Sequence, residues 1–112
     1  MKNDIKQQIK KIDNKIEIER KRTIELNKIQ EDLDKLNKKI FNCIELFKLS
    51  VKGGNSEKCC DNLNKSSLVF YKNFSNSIDE EVKKIKEKIK KLNEEKIKIE
   101  KKSGDSNANS TC

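Results

Sequence analysis

The chain has 112 residues, of which 32% are hydrophobic, 41% charged and 4% aromatic. It is long enough for one domain but too poor in apolar residues for a core of several layers. A net charge of +8 makes anionic partners worth testing. The absence of histidine removes Ser-His and Cys-His nucleophile pairs, together with the commonest metal ligand. What remains is a disordered chain or a helical one, because a two-stranded helical seam closes with about two apolar positions in seven.

Periodicity decides for helix. From Ile9 a seam can be laid on alternating three- and four-residue steps through Ile12, Ile16, Glu19, Thr23, Leu26, Gln30, Leu33, Asn37, Ile40, Ile44, Phe47 and Val51. Four of these positions are polar. Ile18, Ile29 and Leu36 stand one residue from three of them, as on a helix that also touches something on its flank. The expected first helix spans about 3–51.

With no proline and glycine only at 53, 54 and 104, breakers are confined to two places. The turn is expected at 52–56, with Gly53 and Gly54 supplying the positive φ of a C-terminal cap and Ser56 acting as the next N-cap. A second helix is expected over about 57–102, on a seam of Leu63, Ser67, Phe70, Phe74, Ile78, Val82, Ile85, Ile89, Leu92, Lys96 and Ile99. Its two successive four-residue steps after Phe74 form a stutter. Residues 55–67 are rich in side chains that compete with the helix, and Ser77 with Glu80 forms a capping-box pattern, so a kink or break can fall at 73–77. The polar segment 103–112 is expected to be a disordered tail.

The fold class that follows is all-α: two long helices in an antiparallel, coiled-coil-like hairpin over residues 1–102. With the tip at Gly54, facing residue numbers should sum to about 108. Phe41, Phe47, Phe70 and Phe74 then fall in the half nearest the turn, which should be the better packed half, while the open end should fray. Ile18, Leu36, Phe41, Phe47, Phe70, Tyr71, Phe74 and Ile78 are the candidate core or partner-facing residues.

No catalytic constellation, cofactor motif or metal set is found. Gly53-Gly54 lacks the strand and Gly-Lys-Ser/Thr of a phosphate loop. Cys43, Cys59, Cys60 and Cys112 lack the CxxC spacing of a zinc or redox site and read as free thiols, with an intermolecular disulfide as the alternative. No window approaches the length of a membrane span, and the start lacks a secretory signal. A cytoplasmic protein is expected, or one exported without a cleavable leader. By segment the charge is +4 for 1–51, +2 for 52–77, +3 for 78–102 and −1 for the tail. That diffuse distribution, without interleaved aromatics, argues against nucleic acid. A two-helix core is thin, and thin cores are commonly completed by another chain, so a larger helical partner is expected ahead of a homodimer.

A helical hairpin of this length, with a glycine-containing turn at its midpoint and a second arm reading Phe70-Tyr71-x-x-Phe74 and then Ile78, Val82, Ile85, Ile89 and Leu92, resembles the small WXG-type proteins of type VII secretion. More narrowly it resembles the YwqH-like proteins associated with LXG toxins. Val51-Lys52-Gly53-Gly54 stands where that family carries Trp-x-Gly, and Ser75 stands four residues after Tyr71 where its export signal has an acid. The resemblance implies a non-catalytic partner or targeting chaperone for the N-terminal helices of a larger Gram-positive toxin.

Overall fold

The computed structural model describes the backbone of residues 2–111 and the side chains of residues 3–102. It contains two helices, α1 (Lys2–Ser50) and α2 (Gly54–Thr111), joined by Val51, Lys52 and Gly53 in an antiparallel hairpin. The all-α class and the two-helix hairpin expected from the sequence are what the chain adopts. Asp4 in the first turn of α1, Lys48 in its last turn and Glu57 in the first turn of α2 each complement the helix dipole. The expected disordered tail falls on residues 103–112, whose side chains lie outside the described residues; α2 is helical as far as Thr111.

The turn differs from expectation. Neither Gly53 nor Gly54 has positive φ, and α2 begins at Gly54 rather than near 57. Val51 N donates to Phe47 O at 2.9 Å, which continues the α pattern one residue past α1. Ser56 is not an N-cap but a first-turn residue. Its backbone N donates to Gly53 O at 3.1 Å, and its hydroxyl donates to Gly53 O at 2.7 Å, with Val51 O in range at 3.2 Å. The Ser56 hydroxyl thus ties the first turn of α2 to the carbonyls of the connecting segment.

α2 is continuous through 55–67 and through 73–77. The Ser77 hydroxyl donates back to Asn73 O at 3.0 Å, and that of Ser67 to Asn64 O at 3.1 Å. These are interior helix bonds, so the Ser77–Glu80 pattern starts no new helix and no break occurs there.

The hairpin divides into a terminal unit, Met1–Ile24 with Val82–Cys112, and a central unit, Glu25–Glu81. In the terminal unit the seam is the expected one. Ile12, Ile16 and Leu92 form a buried cluster flanked by Ile89 and Ile99, with Ile85 also buried. In the central unit Leu33, Ile44, Cys60 and Ile78 are buried, but Phe41, Phe47, Phe70 and Phe74 are all exposed. The expectation that aromatics make the turn half the better packed is therefore overturned. On α2 the interior positions there are Cys60, Asn64, Ser67, Tyr71, Ser75 and Ile78. The stutter comes at 67–71–75, earlier than the sequence seam puts it, and it turns Phe70 and Phe74 outward.

Candidate interaction surfaces

The rotation of α2 in the central unit has an identifiable cause. Tyr71 Oη donates to Asp34 Oδ1, Gln30 Nε2 donates to the same oxygen at 3.0 Å, and Ser75 Oγ donates to Gln30 Oε1 at 3.2 Å. These four side chains form one polar layer across the seam, with Gln30, Asp34, Tyr71 and Ser75 all half-buried. The Tyr71 hydrogen bond, followed by that of Gln30, holds the Asp34 carboxyl below its ordinary pKa; the same bond to Asp34 raises Tyr71 above its own. With Tyr71 and Ser75 turned inward, Phe70 and Phe74, each one residue earlier, are carried about 100° around the helix onto its flank. Their rings lie 5.9 Å apart at 35°.

Phe70 then becomes a wall rather than a core residue. With Leu36, Ile40, Cys43 and Leu63 it lines an open apolar groove of about 630 Å³ between the helices. On α1 the wall rises through 36, 40 and 43, and on α2 through 63, 67 and 70, in four- and three-residue steps. That is the spacing at which one helix offers holes to another. A second groove of about 510 Å³ is lined by Asn37, Phe41, Asn64 and Leu68. Among the described residues, Ile18, Ile24 and Ile97 are the only exposed large apolar side chains outside the central unit.

Of the sequence-selected residues, Ile78 is core and Tyr71 is a half-buried member of the polar layer. Leu36 and Phe70 share the first groove, and Phe41 lies in the second. Phe47 and Phe74 are exposed, and Ile18 stands apart from them in the terminal unit. Gly53 helps line a shallow site at the turn with Lys48 and Asp61, whose charged atoms are 3.7 Å apart. Sequence reasoning missed Cys60, which is 1% exposed, and the seam roles of Asn64 and Ser75. Their spacing carries the signal, but their polarity or small size hides it from a search for apolar residues.

Cys43, Cys59 and Cys60 are free thiols, while Cys112 lies outside the described residues. Among the described residues no group of histidine, cysteine or acidic side chains is placed to hold a metal ion, and no helix is long and apolar enough to cross a membrane.

The terminal unit has its own polar layer. Glu19, 3% exposed, accepts hydrogen bonds from Lys88 Nζ at 2.9 Å and Arg22 Nη1 at 3.1 Å, so the only buried carboxylate among the described residues is met by a cation from each helix. The Lys88 bond is the main reason its pKa is lowered. Lys96 Nζ meets Asp13 Oδ1 at 2.9 Å, which raises the lysine. The fold also sorts the charge. The terminal unit holds 18 basic and 9 acidic residues, net +9, whereas the central unit holds 9 and 10, net −1.

No protein-family profile, curated protein or solved structure matches the chain.

Proposed function

We propose that this chain is a non-catalytic interaction module whose central unit takes an amphipathic helix of a larger protein into the groove lined by Leu36, Ile40, Cys43, Leu63 and Phe70. The observation that carries the reading is the outward rotation of Phe70 beside Leu36 and Leu63, which leaves an apolar groove with heptad-like walls on a unit of almost no net charge. An apolar surface this concentrated on a small two-helix domain is characteristic of an interface, and the four–three spacing of its walls fits a helix as the occupant. The resemblance to WXG-type and YwqH-like hairpins narrows the occupant to the N-terminal helices of a type VII secreted toxin, which this chain would escort.

The test is co-expression with the product of an adjacent reading frame that begins with a long helical segment, followed by chromatography with light scattering. The reading expects a heteromeric complex that Leu36→Asp with Phe70→Asp abolishes while circular dichroism of the free chain is unchanged. A complex indifferent to those substitutions would overturn it. So would a stable homodimer occluding the same groove, since the chain would then be a self-associating coiled coil.

A further inference from the structure

We propose that one side of the terminal unit is a cationic face that binds the phosphate backbone of double-stranded nucleic acid without regard to sequence. The charge that looks diffuse along the chain is gathered by the hairpin, which brings the two basic arms together at +9 and leaves the central unit at −1. The geometry then places part of that charge on one side. Arg22 from α1 and Lys88 from α2 both reach Glu19, so their two helix flanks share a side of the unit.

Along α1, Lys11 and Lys15 precede Arg22 by eleven and seven residues. Along α2, Lys84 precedes Lys88 by four and Lys91 follows it by three. These intervals return a side chain to nearly the same helix face. All six cations are exposed, and they form two neighbouring rows: the α1 row carries the exposed Ile18 between Lys15 and Arg22 and is bounded by Asp4 and Glu25, and the α2 row is bounded by Glu81 and Glu95. The Glu19 carboxylate between the rows is buried beneath its two partners, so the face displays their cations and hides the anion. The α1 row climbs about 16 Å, at about 1.5 Å per residue, a distance that spans several duplex phosphates.

The chemistry of the unit selects the polyanion. All five aromatic residues lie between positions 41 and 74, so the terminal unit offers no ring for base stacking, on which single-strand binding depends. Contact with a duplex backbone requires cations alone.

Fluorescence anisotropy of the full chain with a labelled mixed-sequence duplex of about 30 base pairs, across a salt series, tests this. Affinity should fall linearly on a log–log plot, with a slope corresponding to about 4–6 neutralised phosphates. The triple variant Lys11→Gln, Lys15→Gln, Lys91→Gln should lose about tenfold or more at low salt and flatten the slope by about 2–3, whereas the same positions changed to arginine should retain binding. A charge-matched control in the central unit, Lys58→Gln, Lys65→Gln, Lys72→Gln, should lose less than about threefold. Circular dichroism would establish that each variant remains helical. Three results would overturn the proposal: no duplex binding at low salt, equal losses in the two glutamine variants, or tighter binding to phosphatidylserine vesicles than to duplex at the same salt.

Discussion

Lys88 Nζ donates a 2.9 Å hydrogen bond to Glu19 Oε1 across 69 residues of sequence, placing an ion pair inside a seam that is otherwise mostly isoleucine and leucine. A buried carboxylate met by a cation from the other helix fixes the register of paired helices more than it adds stability, because a slipped register would leave Glu19 buried with only Arg22 of its own helix. Removing Lys88 alone should therefore be worse than removing both partners. Lys88→Met should lower the melting temperature by more than the double variant Glu19→Leu, Lys88→Met does. Thermal unfolding followed by circular dichroism measures both; a double variant less stable than Lys88→Met would contradict a register role.

The aromatics do not create the packing gradient expected of them, because they lie outside the seam. Ile16 is 4% exposed within the Ile12–Leu92 cluster, whereas Phe70 is 57% exposed. Ile16→Ala should cost about 2–5 kcal/mol, as large-to-small changes in a core do. Phe70→Ala should cost less than about 1 kcal/mol, as surface substitutions do. Urea denaturation of the two variants gives the comparison, and a larger loss at Phe70 would place that ring in the core.

Gly54 begins α2 at an ordinary negative φ, and an added Cβ meets nothing within 4 Å. Gly54→Ala should accordingly stabilise the hairpin by about 0.4–1 kcal/mol, through the reduced freedom of the unfolded chain. Loss of stability in that variant would restore the positive-φ turn expected from the sequence.

Acid and alkali should erode stability through different residues. Glu19 and Asp34 have pKa values lowered by folding from ordinary values of 4.5 and 3.8. Their contribution is present above those values and is lost as pH falls through the lowered, folded-state ones. Tyr71 and Lys96 are raised from 10.0 and 10.5, so their contribution is present below those values and disappears as pH rises through the raised ones. Denaturant midpoints should form a plateau from about pH 5 to about pH 10 and fall on both sides. In Tyr71→Phe the alkaline fall should become shallower and the acid fall should shrink, since Asp34 loses its main donor. An unchanged profile in that variant would dissociate Tyr71 from the polar layer.

Thiol reactivity reads the seam directly. Cys43 and Cys59 are exposed and Cys60 is 1% exposed, so a maleimide pulse followed by peptide mapping should label the first two quickly and Cys60 only at the rate at which the hairpin opens. Equal labelling of the adjacent pair would show that α2 is rotated differently from the arrangement described.

How much of this was legible beforehand differs along the chain. In the terminal unit the isoleucines at 9, 12 and 16 and their counterparts at 85, 89, 92 and 99 all recur on three–four steps, so hydrophobicity alone specifies the face, and it is the face the chain buries. Facing pairs there sum to 107 for Glu19–Lys88 and 109 for Asp13–Lys96, close to the 108 implied by a tip at Gly54. In the central unit two rows on α2 satisfy the same spacing one residue apart, an apolar one through Leu63, Phe70 and Phe74 and a polar one through Asn64, Tyr71 and Ser75. Local pattern favours the first. The tertiary structure takes the second, because Tyr71 and Ser75 can meet Asp34 and Gln30 only when the two helices are side by side. The sequence by itself determined two helices, their antiparallel pairing and the isoleucine seam, all consequences of local periodicity and of where the glycines stand. Which row faces inward, and hence which apolar side chains are left for a partner, depended on hydrogen bonds between residues 37 and 45 positions apart, and the gathering of the lysines into one unit depended on bringing the two ends of the chain together.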